Sequence, residues 1–100
     1  MALQRFGFVV TGSGLDPAEH RMVMRSPGFT MTAIGVPDSS HGPAAARDLV
    51  AGGAQLIELC GGFDPAATAR VIEAIDDAVP VGVVAYGPQA IDALQRLFAR

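Results

Sequence analysis

One hundred residues, half of them hydrophobic, make a single domain (1–100) with room for one modest core. The net charge is −3 and the seven basic residues are scattered, so no stripe invites nucleic acid, and no apolar run approaches the ~20 residues of a membrane helix. The single cysteine excludes an internal disulfide and a Cys-based zinc site, the start lacks a signal-peptide pattern, and both features fit a reducing cytoplasm.

The elements read as strand and helix in alternation. Residues 5–11 (Arg-Phe-Gly-Phe-Val-Val-Thr) form a near-continuous apolar run, the pattern of a strand buried on both faces. Gly12, Ser13 and Gly14 end it. Asp16-Pro17-Ala18-Glu19 predicts a helix start: Asp16 as cap, Pro17 at the first helical position, Glu19 where a capping-box acid stands. Ser26-Pro27-Gly28 predicts the stop of this short first helix. Residues 29–36 make the second strand, and its alternating first half suggests an edge with one wetter face. A polar loop from Pro37 to Gly42 comes next. Pro43 opens the second helix, which ends at Gly52-Gly53 and buries Ala46, Leu49 and Val50.

Residues 55–60 predict the third strand. Asp64-Pro65 starts the third helix, whose stripe is Val71, Ile72, Ile75 and Val79. Asp76 and Asp77 fall in its last turn, the unfavourable end of the helix dipole. Residues 81–86 predict the fourth strand. Gly87-Pro88 opens the fourth helix, with Ile91, Leu94, Leu97 and Phe98 on one side.

The expectation is α/β: a three-layer βαβαβαβα sandwich on a four-stranded parallel sheet, in the order 2-1-3-4. Four βα units are also half of an eight-fold barrel, but the edge pattern of the second strand favours an open sheet. Asp16-Pro17-Ala18 and Asp64-Pro65-Ala66 stand 48 residues apart, and Gly42-Pro43 and Gly87-Pro88 stand 45 apart. That spacing reads either as a βαβα doubling or as the ordinary frequency of proline at helix starts.

Glu58-Leu59-Cys60-Gly61-Gly62-Phe63, the Ala-rich helix after it, Val-Pro-Val-Gly-Val-Val (79–84), Asp16 to Arg21 and Pro27-Gly28 together resemble a family of small bacterial proteins of unknown function. The resemblance spans nearly the whole chain. It implies a small α/β domain and brings no assigned activity and no catalytic residue.

In an open α/β sheet, ligands bind at the carboxyl ends of the strands, where the strand order reverses. With the first and third strands side by side, Thr11, Gly12, Ser13 and Gly14 face Cys60, Gly61 and Gly62 across a crevice. Both loops lead into helix N-termini that favour anions, so a small anionic molecule is the expected ligand. The glycines serve equally as tight turns without a ligand. Gly12-x-Gly14 runs on to Pro17, where a dinucleotide fingerprint wants a small residue, and the chain has no lysine for a P-loop. No cofactor is called for.

Cys60 is either a thiol activated near helix N-termini or a small buried hydrophobe. His41 is the plausible base on the same edge, or else a solvated loop residue. Glu58 sits among Leu56, Ile57 and Leu59, so its charge needs a partner or its pKa rises. It serves as an acid/base, pairs with an arginine within the chain or across a subunit interface, or twists out to solvent. His41, Asp38 and Glu58 match no recognised metal-ligand spacing. Tyr86 ends the fourth strand, where it presents its hydroxyl at the same edge or packs as an amphipathic ring; His20 is a surface residue, and no metal is expected.

Three functions compete: a binder of a small anion, a small enzyme using Cys60 or Glu58 with His41, and a structural oligomerising protein. The apolar composition and mean hydropathy of +0.36 favour self-association.

Overall fold

The computed structural model describes residues 2–99 and shows five strands and three helices. The strands are β1 (Arg5–Thr11), β2 (Arg21–Ser26), β3 (Phe29–Val36), β4 (Leu56–Leu59) and β5 (Val81–Val83). The helices are α1 (Gly42–Ala51), α2 (Pro65–Ala74) and α3 (Ile91–Phe98). The sheet order is β2-β3-β1-β4-β5, with β1, β3, β4 and β5 parallel and β2 antiparallel to β3. The four-stranded all-parallel sheet and its 2-1-3-4 order are thus corrected to five strands in a different order. β1 and β4 lie side by side.

The difference arises at one segment. Asp16 does start a helical turn: its carboxylate accepts from Ala18 N–H at 2.9 Å and its carbonyl from His20 N–H at 2.7 Å. His20 Nδ1 then accepts from Asp16 N–H at 2.7 Å and closes the turn on itself. The chain leaves after that single turn and enters β2. Pro27-Gly28 is not a helix stop but a two-residue hairpin loop, with Ser26 paired to Phe29 across it. A hairpin in place of the first helix also removes the basis for a βαβα doubling.

Losing that helix changes the layers. α1 and α2 pack on the same face of the sheet and form one core with Val9, Ile34, Val36, Ile57 and Leu59. Gly42 opens α1 where any Cβ would run into the Phe63 ring, so the two helix starts approach closely. Side chains alternate along each strand, so Phe6, Phe8, Met31, Leu56 and Glu58 lie on the opposite face. No helix of the described residues fills that side as a third layer would. The architecture is therefore two layers over most of the sheet.

The helix ends obey their local chemistry. Asp64 caps α2, its carboxylate accepting from Ala67 N–H at 2.8 Å, with Pro65 at the first helical position. α2 ends at Ala74, so Asp76 and Asp77 do not sit in its last turn. Both adopt left-handed backbone, each with φ of 53°. Aspartate is among the few residues that tolerate this region, which explains two acids at a helix end. α3 comes after a 3-10 turn (Pro88–Ala90), and Ile91, Leu97 and Phe98 stand exposed on it. No helix of the described residues is long and apolar enough to cross a membrane.

Candidate functional site

Parallel pairing of β1 with β4 brings their carboxyl ends together. Cys60 N–H donates to Val9 carbonyl at 3.0 Å, which carries the pairing one residue past β4. The thiol then lies beside Thr11, the last residue of β1. Cys60 Sγ accepts from Thr11 N–H at 3.2 Å and from Gly62 N–H at 3.4 Å, and it lies 3.3 Å from Thr11 Oγ1. A side chain at 62 would collide with the Thr11 hydroxyl, so glycine there is what lets the turn close on the sulfur. Gly61 is similarly crowded: a Cβ on it would stand 3.2 Å from the Tyr86 ring.

Partial burial pushes the Cys60 thiol up, because it disfavours the charged form. Hydrogen bonds from the Thr11 hydroxyl, Thr11 N–H and Gly62 N–H outweigh this and hold the pKa below the ordinary thiol value. The hydrogen bonds stabilise the thiolate relative to an ordinary cysteine, and they do so without a neighbouring base. Thiolate is the nucleophilic form of cysteine, so the site is suited to attack on an electrophilic atom.

The other expected members do not all gather here. Gly12 N–H donates to Val36 carbonyl at 2.9 Å, and Leu15 N–H to Gly12 carbonyl at 3.0 Å. Gly12, Ser13 and Gly14 thus form a turn toward the hairpin, and no helix N-terminus stands behind them. The anion argument fails for that loop. At the other loop, the N-terminus of α2 already holds the Asp64 carboxylate, which repels a second anion. Tyr86 is 63% exposed beside Gly61, so its ring borders the edge without being packed away.

His41 lies 3.3 Å from Asp38 Oδ1 and 3.3 Å from the Ser40 hydroxyl, at the start of α1. The Ser40 hydroxyl, then His41 and Ser40 N–H, hold the Asp38 carboxyl below the usual carboxylate range. Among the described residues no hydrogen bond joins His41 to Cys60, so the geometry gives no Cys–His pair. Glu58 sits on the sheet face away from the helices, between Phe8 and Gly82. It is half-buried and has no hydrogen bond or ion pair with the described residues. Among the described residues no group of three His, Cys, Asp or Glu side chains is placed to hold a metal ion.

A cavity of about 440 Å³ lies elsewhere, at the amino end of the sheet, lined by Arg5, Arg21, Thr30, Thr32 and Asp48 among others. It occupies the space beside α1 over β3. Its arginines are engaged within the fold. Arg21 pairs with Asp48 and donates to Pro17 carbonyl at 2.9 Å, and Arg5 donates to Gly53 carbonyl at 2.8 Å. The carboxyl end of α1 also faces this space, and its carbonyls disfavour an anion. The Cys60 edge remains the candidate site. The sequence alone places Thr11 opposite Cys60, but not its N–H on the sulfur, because nothing in it fixes the register that brings residue 11 to residue 60.

A family model described as a family of unknown function (DUF6506) matches residues 4–99. No curated protein and no solved structure matched the chain.

Proposed function

The chain belongs to the DUF6506 family, whose function is unknown, and we propose that it is a single-thiol protein acting through Cys60. The observation that carries this reading is the convergence of two backbone N–H donors and the Thr11 hydroxyl on one sulfur at the open end of the sheet. The thiolate attacks one sulfur of a small disulfide, forms a mixed disulfide with it, and releases the other half as a thiolate. With one cysteine in the chain, no internal thiol resolves that adduct, so an external thiol must. A reducing cytoplasm supplies such thiols.

Binding of a small anion at the same crevice uses the same donors. Thr11 N–H, the Thr11 hydroxyl and Gly62 N–H already face sulfur, so the anion best held there is the thiolate itself. The enzyme reading based on Cys60 with His41 lacks its hydrogen bond, and the thiol is read as acting without that base.

The test is adduct formation on the native full chain with a small symmetric disulfide at neutral pH, read by intact mass. We expect one adduct on the folded protein, formed faster than on the chain unfolded in denaturant at the same pH. Labelling only after unfolding would make Cys60 a packing residue and end this account.

A further inference from the structure

Among the described residues, two apolar surfaces stand largely open. One is the sheet face opposite α1 and α2, which Leu15 covers only at its carboxyl end, over Gly35. The strand register sets Met24, Met31, Phe6 and Leu56 in one row across it, with Met22 and Phe8 in the next. Met22 and Met24 are 64% and 62% exposed. The other surface is α3, where Ile91, Leu97 and Phe98 are 60%, 64% and 75% exposed.

We propose that this sheet face is the interface with a second copy of the chain. The two sheets pack face to face about a two-fold axis, and α3 of each copy lies against the rim of the other.

Three observations select a second copy as the occupant. First, charge is segregated. The arginines of β2, Arg21 and Arg25, alternate onto the helix side, because they pair with Ile34 and Thr30 there. Glu58 and, where β2 extends to bond Gly35, His20 are the ionisable groups on the open face, so it carries no cluster of one charge sign to select a strongly charged partner. A flat apolar sheet face is complementary to itself, and two such faces pack at about 10 Å, as in a sandwich. Second, the face supplies a substantial part of the area that a stable dimer needs. Five strands at ~4.8 Å spacing and about five residues at ~3.3 Å give roughly 400 Å² of face. That matches the largest patch on a typical monomer, ~300–600 Å², and is about half of the ~800 Å² per partner of a stable complex. The exposed stripe of α3 would supply further area toward that value. Third, Glu58 does not obstruct it. Its neighbour in the row is Gly82, next to the sheet edge, and the missing side chain there gives the carboxylate a route to water. The methionines suit such a surface, since their flexible side chains fill an irregular contact.

The experiment is sedimentation or light scattering of the full chain over a concentration series up to about 100 µM. A dimer is expected. Met22→Glu with Met24→Glu should weaken it by ~100-fold or more, since each copy would bury two unpaired charges. Both side chains are largely exposed in the single chain, so circular dichroism of the variant should match the parent. If the double variant fails to fold, Met24→Glu alone gives the same comparison. Arg25→Glu, on the other face of the same strand, should leave association unchanged. A monomer at about 100 µM would overturn the proposal and leave the face to a different protein. A dimer that persists in the glutamate variants would overturn it as well, by placing the contact elsewhere.

Discussion

Replacing Thr11 by Val tests the site with the least disturbance. Valine keeps the shape, the strand propensity and the backbone N–H of residue 11, and removes only the hydroxyl 3.3 Å from Cys60 Sγ. A hydrogen bond to a charged group is worth about 1.5–3 kcal/mol. This one is long and only partly buried, so its effect belongs at the low end of that range, about 1.5 kcal/mol. The pKa of Cys60 in Thr11→Val should therefore rise toward the ordinary thiol value. The assay is the rate of alkylation against pH, read by intact mass. Because the chain has one cysteine, every adduct reports on Cys60. An unmoved midpoint in a variant that still folds would refute the role given to the hydroxyl. An unmoved midpoint that already equals that of a free thiol in the parent would refute the thiolate itself.

Three further outcomes are expected. The folded pKa of Cys60 is depressed, so its contribution to stability is full above the unfolded thiol value and is lost as pH falls through the folded value. Denaturant midpoints of the parent should accordingly rise between those two pH values relative to Cys60→Ser, and parallel curves would contradict this. Asp76→Gly and Asp77→Gly should each stabilise the chain by about 0.5–1 kcal/mol in urea unfolding, because both positions have left-handed backbone that suits glycine; a loss of that size would show that the carboxylates matter there. Glu58→Gln should leave the melting temperature unchanged or raise it slightly, within about 0.5 kcal/mol, since no partner charge is left stranded. A loss of ~3–5 kcal/mol would mean that Glu58 has a buried partner.

Much of the fold could be read in advance because its signals are local. Asp64-Pro65 did start a helix, Pro43 stands at the start of α1, and Gly52 caps that helix. The hairpin was missed for a physical reason. Asp16-Pro17-Ala18-Glu19 satisfies the backbone for one turn, and the conformation of residues 21–26 is set by pairing with Phe29–Val36 rather than by the segment itself. Pro27-Gly28 serves both a helix stop and a hairpin loop, and only the exact two-residue spacing distinguishes them. The bare sheet face has the same origin. Of the site, Cys60, the glycines after it and Thr11 across the crevice were visible as strand ends and turns. The contact of Thr11 with the sulfur was not, because it spans 49 residues and rests on a sheet register. Glu58 stood out by its apolar neighbours, yet the pleat carries it to the open face.

The most direct measurement is a pH titration of Cys60 in the native chain and again in the denaturant-unfolded chain. Thiolate absorbance or alkylation rate serves as the readout. With two N–H donors and the Thr11 hydroxyl on the sulfur, the native midpoint should lie below the unfolded one. A native midpoint equal to or above the unfolded one would mean that burial prevails over the hydrogen bonds, and that Cys60 is a core thiol with no part in chemistry.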